Sequence, residues 1–157
     1  MDMSTVLNVN HIQLNMIAKT KEEAIEELTD LLIQVGSVSN RDAFIRDVWR
    51  REEEGPTAFE NLIALPHGQS SAVSHTTIAI GRTQDTISWQ MPDDCDIRCI
   101  ILYAICLEDK DTTPIRLLKQ VSIALADDDT IAKLLTEDEP ENIIAMFNQY
   151  IEADDEF

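Results

Sequence analysis

The chain has 157 residues, 44% of them hydrophobic and 27% charged, which suits one domain with a sizeable core. Asp and Glu number 30 against 12 Lys and Arg, a formal net charge of −18. That balance argues against nucleic acid, whose phosphates need clustered cations, and disfavours an anionic membrane surface. It leaves solubility and repulsion between copies, or a positively charged protein partner.

Cys95, Cys99 and Cys106 lie in or just before a single apolar run, an odd and unspread set that does not read as a secreted disulfide framework. The start shows no charged segment followed by an apolar stretch, and the run Ile100 to Leu107 is too short to span a bilayer. The expectation is a cytoplasmic protein of one domain, residues 1–157.

Taken in chain order, the first 19 residues are mixed and predict irregular chain with at most one edge strand. Thr20 followed by Glu23 is a capping-box pattern. Behind it Ala24, Ile25, Leu28, Leu31, Leu32 and Val35 recur at helical spacing, and Gly36 is a stop. Ser39 or Asn40 caps a second helix with Phe44, Ile45, Val48 and Trp49 on its apolar face, ending at Gly55 and Pro56. Asn61 to Leu65 is a short apolar segment stopped by Pro66. Thr76 to Ile80 reads as a buried strand closed by Gly81, and Thr86 to Trp89 as a short second one. Ile97 to Leu107 is nearly continuously apolar, the pattern of a central strand. Three helices follow: one opening at Pro114 with Ile115, Leu118, Val121 and Leu125, one capped in Asp127 to Asp129, and one from Glu139 and Pro140 through Ile151. The tail Glu152 to Phe157 is acidic and is expected to fray. The fold class is α/β (α+β): a small mixed β-sheet flanked by helices on both faces.

Few residues can carry chemistry. Cys95 and Cys99 are spaced C-x-x-x-C and no Glu-x-x-His spacing occurs, so a metal site is poorly supported. Glycines 36, 55, 68 and 81 form no phosphate loop, and Ser70 and Ser71 near His67 lack a nucleophile elbow. The informative segment is Leu62 to Gly68. A strand ends at Pro66, which lacks an N–H; His67 follows, and Gly68 permits a sharp turn. An imidazole held there suits a nucleophile, since a neutral ring nitrogen is competent near neutral pH.

Arg51-Glu52, then Gly55-Pro56-Thr57, then Ile63-Ala64-Leu65-Pro66-His67-Gly68 resembles the signature of the enzyme IIA domains of the phosphoenolpyruvate-dependent sugar phosphotransferase system, fructose/mannitol type. The sixteen-residue step from Arg51 to His67 matches that signature, and the strand and helix pattern extends the likeness over nearly the whole chain. The resemblance implies that His67 accepts a phosphoryl group on Nε2 from the phosphocarrier protein HPr. It implies transfer onward to a cysteine of an enzyme IIB, with sugar phosphorylated as it passes through enzyme IIC. Arg51 would supply a charged fork to the phosphoryl oxygens, Thr57 a hydroxyl and the backbone at Gly68 an N–H. No metal or organic cofactor is called for.

Two places depart from the family pattern. Glu60 stands where the family has a turn glycine, and Pro114 falls where a second family histidine opens the helix after the central strand, with Thr113 as the close alternative. His75 and His11 are expected outside the site. The alternative to a transport component is a regulatory IIA-like module, nitrogen-type or attached to a regulator, in which phosphorylation of His67 controls a protein partner.

Overall fold

The computed structural model describes residues 6–55, 57–59, 62–89, 95–108 and 113–155, with backbone alone at 59, 113–115 and 150–155. After a short 3₁₀ turn, Val9–His11, strand β1 (Ile12–Met16) leads to helix α1 (Lys21–Gln34). The Thr20 hydroxyl accepts the Glu23 N–H at 3.1 Å. The Glu23 carboxylate reaches past the cap to the Lys19 N–H at 3.3 Å, so half of the expected capping box forms. Gly36, at φ 83°, closes the helix: its N–H goes to Ile33 O at 3.1 Å and the Ser37 N–H to Leu32 O at 3.0 Å. Asn40 rather than Ser39 caps α2 (Arg41–Glu54), accepting the Ala43 N–H at 3.1 Å.

Among the described residues six strands make one mixed sheet. Besides β1 they are β2 (Ala58–Phe59), β3 (Ile63–Ala64), β4 (His67–Ser70), β5 (Thr77–Ser88) and β6 (Asp96–Cys106). The order is β1-β5-β6-β3-β2, with β4 also on β6. β6 is central and β1 is an edge, as their sequences predict. β1 runs parallel to β5, β5 antiparallel to β6, and β3 and β4 parallel to β6. The two strands expected over 76–89 are one. Its register against β6 shifts between Arg82 and Ile87. Gly81 does not stop it; a Cβ there would lie 2.2 Å from Met16 Sδ and 2.9 Å from Leu28 Cδ2, so glycine is needed for close packing.

Helices α3 (Thr113–Leu125), α4 (Asp128–Thr136) and α5 (Pro140–Asp155) complete the chain. The sheet divides two cores. On one side Cys99, Ile101, Tyr103 and Ile105 of β6 pack with Leu117, Val121, Leu134, Ile143 and Phe147 of α3, α4 and α5. On the other, Ile100, Leu102, Ala104 and Cys106 pack with Ile25, Leu28, Leu32, Phe44 and Val48 of α1 and α2. This alternation is the period of two of a strand buried on both faces. Large side chains such as Phe44 and Phe147 are fully buried, each worth about 1.5–3 kcal/mol. Arg82, itself buried, fastens the end of α4 to β5. Its Nη1 donates to Leu134 O at 3.2 Å and Glu137 O at 2.7 Å, and its Nη2 to Asp138 Oδ1 at 3.2 Å. Among the described residues no helix is long and apolar enough to cross a membrane.

Candidate functional site

β3 and β4 are two short pieces laid along the same side of β6, spliced by Leu65 and Pro66. Pro66 donates nothing, but its carbonyl accepts the Tyr103 N–H at 2.9 Å. His67 therefore opens a strand rather than following the end of one, and pairs in register with Tyr103. Gly68 makes no turn: it is extended and paired with Ala104. Its bare Cα serves packing, because a Cβ would meet Phe44 Cε2 at 2.5 Å and Val48 Cγ2 at 2.7 Å. This close approach brings α2 onto the sheet edge. Phe44, Val48 and Arg51 share one helical face, so seating the first two on β4 carries the third toward His67.

His67 and Arg51 line one open cavity of about 780 Å³. Gln69 and Ser71 extend its β4 side, Ile105 and Leu107 come from the β6 end, Leu118 from α3, and Asp47, Arg50 and Glu54 from α2. The His67 ring stacks on Tyr103, with centroids 4.6 Å apart and planes 23° from parallel. Its Nδ1 is buried and, among the described residues, makes no hydrogen bond of normal geometry, although the Leu65 carbonyl is close enough to act on the ring; this leaves Nε2 as the nitrogen for the cavity. Burial lowers the pKa of the ring from its ordinary value, and the Arg51 charge lowers it further. The Leu65 carbonyl and Glu52 carboxylate pull the other way. The net effect favours a neutral imidazole.

The Arg51 side chain is 38% exposed. Its Nη1 donates to Gly55 O at 3.2 Å and its Nε lies 4.0 Å from Glu54 Oε2. The end of α2 thus draws on both Nη1 and Nε, and the side chain lines the cavity beside His67. Thr57 is elsewhere. Its buried hydroxyl donates to Glu52 and accepts from Trp89 Nε1 at 3.4 Å. It joins the structure that supports the site: Glu52 also accepts Lys21 Nζ at 2.7 Å, and Lys21 lies over the rings of Trp49 and Trp89 at 5.3 and 5.1 Å. The Thr57 carbonyl accepts the Leu65 N–H at 2.8 Å, tying this cluster to the chain that enters β4.

Glu60 lies outside the described residues, as do the side chains of Thr113 and Pro114. His75 and His11 line a different cavity with Asn8 and Gln34. Ser70 faces away from His67, its Oγ accepting the Ala72 N–H at 3.1 Å. Cys99 and Cys106 are buried, and burial pushes the Cys99 thiol up to about 12, which makes it inert. Sequence reasoning missed Tyr103 and Lys21, and gave Glu52 no role beyond its place in the Arg51-Glu52 pair. Tyr103 is the one aromatic residue in β6, and strand alternation alone could have flagged it.

Residues 5–150 match the family described as "Phosphoenolpyruvate-dependent sugar phosphotransferase system, EIIA 2". The 2-O-alpha-mannosyl-D-glycerate-specific EIIABC component of Escherichia coli (strain K12) is 30% identical over 146 residues, 92% of this chain and 22% of that protein. The fructose-specific EIIA component of Haloferax volcanii is 28% identical over 151 residues, 96% of this chain and 97% of that one. The chain spans 22% and 24% of the length of the first two curated relatives. Among solved structures, the nitrogen regulatory protein IIA-Ntr from Neisseria meningitidis superposes with a TM-score of 0.80 at 23% identity, over 91% of this chain and 97% of that one. The enzyme IIAMTL in complex with phosphorylated enzyme IIBMTL from Escherichia coli gives 0.75 at 23%, over 90% and 96%. These two establish the likeness of fold.

Proposed function

The chain belongs to the EIIA 2 family of the phosphoenolpyruvate-dependent sugar phosphotransferase system, and from that premise we propose that it is a phosphocarrier which takes a phosphoryl group onto Nε2 of His67 and passes it on. The observation that supports this most directly is the pairing of a buried Nδ1 with an Arg51-flanked cavity in front of the other nitrogen. In the neutral ring the proton sits on Nδ1, on the side of the Leu65 carbonyl, and Nε2 holds the lone pair. That pair attacks phosphorus of a phosphohistidine donor on HPr. The new N–P bond forms as the donor's N–P bond breaks, and the donor imidazole leaves with the electron pair. The onward step repeats this chemistry in the opposite direction, to a cysteine thiolate of an enzyme IIB in the cytoplasm. Arg51 offers the equatorial oxygens a planar cation in a site with few others. Thr57, held by Glu52 and Trp89, acts by supporting α2 and Leu65, with its hydroxyl available to phosphate only if that bonding changes. Gly68 does not offer the N–H expected of it, because the parallel pairing of His67 with Tyr103 commits that N–H to the Tyr103 carbonyl; its part is the close seat of α2.

A regulatory role is the second reading, favoured by the absence of histidine at 113 and 114. Phosphorylation of His67 would there govern binding of a protein partner instead of feeding transport.

The test is a purified mixture of phosphoenolpyruvate, enzyme I, HPr and this protein followed by intact mass. The expected product gains one acid-labile, alkali-stable phosphate that folded His67→Ala does not acquire. Phosphorylated HPr with no transfer to the wild-type protein would sink the phosphocarrier reading.

A further inference from the structure

An acceptor imidazole has to be held against rotation about Cβ–Cγ, or its two nitrogens exchange places with ring carbons before the donor. A hydrogen bond to the nitrogen that does not react is the common device. His67 has only a weak version of it: the Leu65 carbonyl lies close enough to raise the ring's pKa, but among the described residues no hydrogen bond of normal geometry reaches the buried Nδ1. What the ring has is Tyr103. The two are register partners on β4 and β6, so the sheet fixes the separation of their backbones. Tyr103 is 1% exposed within the core under α3 and α5 and has no room to withdraw. The rings lie face to face at 4.6 Å and 23°, at the short end of the range of about 4.5–7 Å for aromatic pairs, so turning the imidazole edge-on crowds it against the phenol face.

Resting on the phosphocarrier reading, we propose that Tyr103 is a positioning residue: its ring clamps the His67 imidazole in the plane that keeps Nδ1 buried and presents Nε2 to the donor. The phenol face carries this role, and the hydroxyl is dispensable. An aliphatic residue at 103 would fill the core but leave the imidazole free to turn. Nδ1 would then compete as acceptor, and fewer rings would meet the donor in line.

Three measurements test the proposal. In the unphosphorylated wild-type protein, the ring protons of His67 should resonate upfield of those of exposed His75, through the tyrosine ring current. Coincident shifts would overturn the clamp, whatever any variant does. Next, phosphoryl transfer from HPr is followed in Tyr103→Phe and Tyr103→Leu, with ³¹P resonances distinguishing phosphate on Nε2 from phosphate on Nδ1. Tyr103→Phe should keep the rate within about twofold and a single Nε2 product. Tyr103→Leu should lose about ten- to a hundredfold at saturating donor while half-saturation stays nearly constant, and should show Nδ1 product. A folded Tyr103→Leu protein with wild-type rate and one isomer refutes the role. Wild-type protein that takes no phosphate on His67 would refute the acceptor assignment instead, with the ring shifts still reporting whether the clamp exists.

Discussion

The nitrogen of His67 that reacts must be unprotonated, and two features of its surroundings keep it so: burial first, then the Arg51 guanidinium. The folded-state pKa lies below the ordinary value of about 6.5. Transfer should therefore hold steady as pH falls to about 6.5 and decline only below it, a profile that rate measurements across pH would establish. The same shift acts on stability. Protonating the ring opposes folding, so its contribution is complete above about pH 6.5 and is lost as pH drops through the interval down to the folded value. Arg51→Gln removes a neighbouring cation. The His67 titration, read from its imidazole resonances, should move toward higher pH, while transfer slows by roughly ten- to a hundredfold for want of the phosphate fork. A variant with unchanged titration and full rate would remove Arg51 from the site.

At the scale of elements, the seat of α2 on β4 matters most. Gly68→Ala sets a methyl within 2.7 Å of the Phe44 ring and Val48, an overpacking worth about 1–3 kcal/mol. A fall in thermal midpoint together with slower transfer is the expected result, because displacing α2 also displaces Arg51. Adding Phe44→Leu should restore part of both. At the opposite end of the fold, Arg82→Ala deprives the close of α4 of three hydrogen bonds to a buried cation. It should cost roughly 1.5–3 kcal/mol in denaturant unfolding without altering the His67 titration. The helices were legible because caps and periodicity are local: Thr20, Asn40 and Asp127 all cap as their positions suggest. The sheet was less so. Gly68 and Gly81 look like turn signals in a string of letters, and only three-dimensional packing reveals that each is an absence of side chain demanded by a helix or strand lying against it. The site was half readable. His67 and Arg51 stand out by type and spacing, whereas the His67–Tyr103 stack and the Lys21–Glu52 bond join residues 36 and 31 positions apart, pairings that sequence order does not show.

Across the whole molecule the net charge of −18 opposes compactness. Between about 0.01 and 0.15 M NaCl the screening length falls from about 30 to about 8 Å. The thermal midpoint should accordingly rise with salt over that range, and a flat response would show that the carboxylates are already compensated locally. The two cores bear on the site in a way that neither does alone. His67 leans on Tyr103 and so belongs to the layer built by α3, α4 and α5, while Arg51 rides on a helix rooted in the other layer. The gap between imidazole and guanidinium is consequently set by how the two layers sit across the sheet. Any small slide of one against the other, from a core substitution on either side or from a protein pressing on one face, changes the reach of the cation toward the phosphate without touching either residue.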